Sequence, residues 1–139
     1  MLNPNTVLKK ASENPVVSAL SSVIGRALLA FIFIIAGWGK LTAYQATQGY
    51  MEAMGVPGGL LPLTILMELG GGIAILLGLQ TRLVALGLAG FSIVTALIFH
   101  SGAEDSINLM KNLAMAGGFI FLALHGAGKI SLDALFEKS

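Results

Sequence analysis

Glu68 lies within residues 60–79, a run long enough to cross a bilayer that holds no other charged residue. A carboxylate at that depth can carry a titrating proton, hold the polar end of a ligand, or bridge neighbouring helices by hydrogen bonding. Placing it at the middle of a membrane helix costs roughly 2.5–3.5 kcal/mol on insertion scales. The eleven Leu and Ile residues of the same run each return roughly 0.3–0.6 kcal/mol, so insertion stays favourable despite Pro62 and four glycines. The span tolerates Glu68, and its presence there calls for a reason.

Polar partners recur at helical spacing on the other apolar runs. Residues advance about 100° each along a helix, so Arg26, Ala30, Phe33, Gly37 and Lys40 form one stripe that is expected to face a bundle interior. Asn108, Lys111, Met115, Gly118, Leu122 and His125 share a face of the last run, with Asn112 beside it. If both termini lie on one side, Lys40, His100, Lys111 and Asn112 fall in the half of the membrane into which Glu68 projects. The expected site is therefore ligand-binding or proton-linked, built from Glu68, Lys40, Lys111, Asn112 and His100. Arg26 near the other end is a sixth polar candidate, with lipid phosphates as its alternative partner. No catalytic set and no specific metal-ligand spacing is present. His100 is open to three roles: proton donor, interfacial residue, or metal ligand with Glu104 and Asp105.

Other features have structural readings. Gly70, Ala74 and Gly78 form a small-xxx-small stripe suited to close helix packing or self-assembly. Trp38, Tyr44 and Tyr50 read as interfacial anchors rather than a stacking box. The 126–129 stretch resembles the end of a phosphate-binding loop, but Ala123 and Ile130 stand where Gly and Ser or Thr are required. The Gly70–Gly72 triplet follows no soluble strand, which excludes a dinucleotide fingerprint.

These residues sit in a chain of 139 that is 55% hydrophobic and 11% charged, a balance that excludes an ordinary soluble domain. Four apolar stretches, about 23–41, 60–79, 83–100 and 107–127, each approach the length needed to cross a hydrocarbon core of about 30 Å. The whole of 1–139 is read as one membrane domain: an all-α, up-down-up-down bundle of four transmembrane helices. Residues 1–22 form a cytoplasmic arm and the start of helix 1, which Asn14 and Pro15 begin as N-cap and first-turn proline. Tyr44, Thr47, Met51 and Met54 recur at helical spacing before Gly55 and Pro57, predicting a short amphipathic interfacial helix after helix 1.

The side with both termini and the 80–82 turn holds Lys9, Lys10, Arg26, Arg82, Lys129 and Lys138, against Lys40 and Lys111 on the other, so both termini are expected to be cytoplasmic. A net charge of +1 with no basic, aromatic-rich stripe excludes nucleic acid as a partner. The absence of cysteine removes disulfides, thiolate nucleophiles and iron–sulfur clusters.

Several motifs occur in a familiar order: FIFIIAGWGKL after Arg26, MELGGGIAILLGLQTR around Glu68, MKNL in the last run, and HGAGKISLD from His125 to Asp133. Over about residues 20–135 they resemble the DoxX family of small bacterial inner-membrane proteins, and AGWGKLTAYQATQGYMEAMGVPG resembles its YqjF-like branch. Ala127 departs from the family's usual proline, which is expected to loosen the end of the last helix. The resemblance implies an inner-membrane address and a link to quinone or redox-stress metabolism. On that basis the chain is expected to be a non-catalytic accessory or ligand-binding subunit. A quinone or lipid is its candidate ligand, and a redox enzyme and further copies of itself are its partners in the bilayer. The alternatives are a small proton-coupled transporter using Glu68, and a structural self-assembling membrane protein.

Overall fold

The computed structural model describes residues 3–138, and every regular element among them is helical. The arm before the first span is itself a helix, α1 (Pro4–Ser12), begun by Asn3, whose side chain accepts from the Asn5 amide at 2.9 Å. Asn14 starts α2 (Pro15–Thr42) in the same way, accepting from the amides of Val16 and Val17 with Pro15 in the first turn. At 28 residues, α2 is about 42 Å long, more than the hydrocarbon core requires. The expected amphipathic helix follows as α3 (Tyr44–Ala53). Met51 anchors it against Leu61 and Ile65.

The second span, Gly58–Leu77, is not one uniform helix. A 3-10 turn (Gly58–Leu60) leads into α4 (Leu61–Ile65), a π-helical turn occupies Leu66–Gly70, and α5 (Gly71–Leu77) completes the crossing. The span therefore changes its helical geometry at the turn that carries Glu68. Gly78 ends the span in the left-handed region at φ +71°, and the Leu79 amide reaches back to the Ala74 carbonyl at 2.8 Å in a Schellman arrangement. After that tight turn come α6 (Thr81–Phe99), a 3-10 turn (Ala103–Asp105), α7 (Ser106–His125) and a short α8 (Leu132–Glu137).

Cross-helix bonds fix an antiparallel order. Arg26, early in α2, reaches Ile75 and Leu76 at the end of α5, while Arg82, first turn of α6, reaches Ala123 and Leu124 at the end of α7. Among the described residues, four helices are long and apolar enough to cross a membrane. Their shared core joins Ala30, Phe33, Ile75, Leu88 and Phe119, with the Phe33 and Phe119 rings edge-on at 5.3 Å. Leu28, Phe31, Leu83 and Phe121 are each more than half exposed, an outward apolar coat suited to the lipid phase of a bilayer.

The small residues that let helices approach are not the predicted stripe. A Cβ on Gly37 would stand 2.7 Å from the Leu69 amide nitrogen, and one on Gly72 would stand 2.8 Å from Ile34 Cγ1, so α2 and the second span meet glycine to backbone. Gly70 is exposed and a Cβ there would meet only Leu66 of its own helix; Ala74 is half-buried; Gly78 serves as the helix stop.

Candidate functional site

Lys40, in the last turn of α2, sends its ammonium to both oxygens of Glu68, 3.0 Å to Oε1 and 2.8 Å to Oε2. Glu68 is 7% exposed, whereas the Lys40 side chain keeps 30% of its surface open. The π turn that presents Glu68 is a rare geometry that recurs at functional sites. The pair lies on the wall of a cavity of about 590 Å³ between α2, α3, the second span, α6 and α7. Phe33, Met67, Phe91 and Met115 give the cavity its apolar lining, and Ser92, Thr95, Asn112 and His100 add polar groups on the far wall. An apolar chamber with a few converging polar groups is the usual form of a small-molecule site.

Of the residues singled out in the sequence, Lys40, Glu68, Asn112 and His100 all line this cavity. Asn112 donates to Thr95 Oγ1 at 3.3 Å and the Ser92 carbonyl at 3.4 Å, tying α7 to α6. His100 pairs through Nδ1 with Asp105, whose other oxygen accepts from Asn108, and no group of three metal-binding side chains forms among the described residues. Lys111 does not join them. It is exposed and outside the cavity lining, because the inward face of α7 runs through Asn112, Met115, Ala116 and Phe119 rather than through Lys111. Tyr50 also departs from its expected role in part, since its ring stacks on Phe99 at 5.7 Å and borders the cavity.

Arg26 occupies the opposite end and is 2% exposed, so it does not reach lipid phosphates. It donates to the carbonyls of Ile75 (3.1 Å), Leu76 (2.9 Å) and Ile130 instead. The Leu132–Glu137 helix completes this end. Asp133 accepts from the Gln80 amide at 2.6 Å and the Thr81 amide at 2.8 Å, its own amide bonds the Gly78 carbonyl, and Ser22 donates to the Ala127 carbonyl. Burial pushes the Asp133 carboxyl up, but the Thr81 hydroxyl beside it, the Thr81 and Gln80 amides and Arg26 together carry it below the ordinary carboxylate range. Sequence reasoning missed this latch. Its available signal was Ser131, which accepts from the Ala134 amide as an N-cap three residues on.

Comparison with known proteins agrees with this architecture. The DoxX family profile matches residues 21–101. Inner membrane protein YqjF of Escherichia coli (strain K12) is 53% identical over 119 residues, covering 84% of this chain and 92% of that protein. Inner membrane protein YphA of the same organism is 35% identical over 121 residues, covering 80% and 86%. No solved structure matches the chain. A profile spanning more than half its length, and relatives of this identity over nearly their whole chains, place this multi-pass inner membrane protein in the DoxX family.

Proposed function

We propose that the protein is a non-catalytic ligand-binding accessory of the inner membrane, holding a lipid-like molecule of the quinone type in the cavity beside Lys40 and Glu68. The observation that carries this reading is an almost fully buried carboxylate, paired with a lysine, on the wall of a mainly apolar chamber of about 590 Å³. A structural bridge alone would need no chamber. The charge balance of the pair suits an uncharged head group, because a charged one would have to displace Lys40 or Glu68 from the other. Electron transfer, in this proposal, belongs to a redox partner that exchanges the ligand, and self-association places copies side by side in the bilayer. Both termini are cytoplasmic in this reading, which puts the cavity in the outer half of the membrane.

Native mass spectrometry with lipid extraction, on protein purified gently from its own membrane, tests the proposal. A quinone or other neutral lipid retained by the wild type and lost in Glu68→Gln is the expected result; equal profiles in both would overturn it.

A second reading, proton-coupled transport through Glu68, is favoured by the π turn, since interrupted helices are how transporters expose a site at mid-membrane. Proteoliposomes separate the two: proton uptake abolished by Glu68→Gln supports transport, and no uptake under any imposed gradient removes it.

A further inference from the structure

Ser92 lies midway along α6, 1% exposed, on the cavity wall, and its hydroxyl has no hydrogen-bond partner among the described residues. A serine inside a helix ordinarily bonds the carbonyl one turn back. Thr95, on the same face, does so, with Oγ1 2.9 Å from the Phe91 carbonyl. Ser92 thus carries a desolvated donor that a cavity occupant would satisfy. The buried Nε of Arg26 also lacks a partner, but it lies at the other end of the bundle. Beside Ser92, Asn112 commits its amide nitrogen to α6, and its carbonyl oxygen forms no bond among the described residues.

The cavity therefore has two polar stations on different walls. One, on α2 and the second span, is the Lys40–Glu68 pair with no net charge. The other, on α6 and α7, offers a hydroxyl and an amide oxygen without any formal charge. The rings of Phe33 and Phe91, with centroids 6.5 Å apart, line the space that both stations share.

We propose that Ser92 and Asn112 form a second polar subsite, so that the ligand is an uncharged amphiphile whose head carries two separate hydrogen-bonding oxygens, one at each station. This rests on the ligand-binding reading above and adds the residues that hold the second oxygen of the head. Neither half of the head is charged, because each wall is electrically balanced and the interior tolerates no unpaired ion.

Equilibrium binding in nanodiscs tests it with three probes of equal tail length: decyl-1,4-hydroquinone kept reduced by ascorbate (two ring hydroxyls, each able to donate and accept), 4-decylphenol (one) and undecanoate (an anion). The wild type is expected to bind the hydroquinone roughly tenfold more tightly than the phenol, the worth of one well-made hydrogen bond, and undecanoate least. Ser92→Ala and, independently, Asn112→Leu are expected to erase that preference while leaving phenol affinity within about twofold. If both variants keep the full preference while Glu68→Gln weakens both probes, the subsite is wrong and the cavity reading stands. If the wild type binds neither neutral probe, the cavity reading fails and takes the subsite with it. Tightest binding of undecanoate would overturn the neutral ligand class.

Discussion

Lys40 and Glu68 are more dependent on each other than a surface ion pair would be, because one partner is buried and the other only partly open. Removing the lysine leaves a buried carboxylate without its donor. Lys40→Met is expected to cost about 1–3 kcal/mol in the wild type and clearly less in the Glu68→Gln background, read as thermal midpoints in a double-mutant cycle. Strict additivity would show that the two side chains are not coupled. Arg26 has a different task, since it satisfies three backbone carbonyls at the end opposite the cavity. Arg26→Met is expected to cost about 2 kcal/mol or more while retained ligand stays unchanged; ligand loss at full stability would reverse that assignment. At this scale the sequence was informative for Lys40 and Glu68, because a charge inside a uniform apolar run stands out and helical spacing aims it inward. It failed for Lys111. Adjacent residues lie about 100° apart, so aligning the stripe on Lys111 instead of Asn112 turned the wrong side chain into the cavity.

Elements show the same division between what side-chain pattern encodes and what backbone geometry decides. Spans and the interfacial helix follow hydropathy and period, and all of them were readable. The π turn is a change in which carbonyl each amide selects, for which residue type gives little sign. The last helix is too short and too exposed for periodicity to register. The packing glycines illustrate the point most directly: the Gly70, Ala74 and Gly78 stripe competes with Gly37 and Gly72, and only tertiary contact tells which are used. Gly37→Ala is expected to destabilise by about 1–3 kcal/mol as its methyl meets the Leu69 backbone. Gly70→Ala is expected to stabilise by about 0.5–1 kcal/mol through helix propensity. Thermal unfolding in detergent distinguishes these signs, and a dissociated oligomer in Gly70→Ala would instead assign that face to self-association.

The α8 latch is also sensitive to acid. The Asp133 carboxyl sits below its ordinary range in the fold, so its stabilisation is complete above the unfolded-state value and is lost as pH falls through the lower, folded value. The midpoint difference between wild type and Asp133→Asn is therefore expected to shrink between pH 7 and pH 3; a difference that grows on acidification would contradict the hydrogen-bond arrangement.

At the scale of the whole molecule, the two ends are specialised. One end gathers both terminal segments, Arg26, Asp133 and most of the basic residues into a braced frame, and the other holds the cavity under the interfacial helix. The excess of Lys and Arg at the braced end predicts that a C-terminal green fluorescent protein fusion glows and a C-terminal alkaline phosphatase fusion is inactive. The opposite result would invert the molecule in the membrane. The Lys40–Glu68 pair then has a consequence for the energised cell. Two opposite charges held 2.8 Å apart move almost no net charge through the transmembrane field when an uncharged ligand enters or leaves. For the uncharged ligand proposed above, occupancy of the cavity is therefore expected to be electrically silent, following the ligand's abundance in the bilayer rather than the membrane voltage.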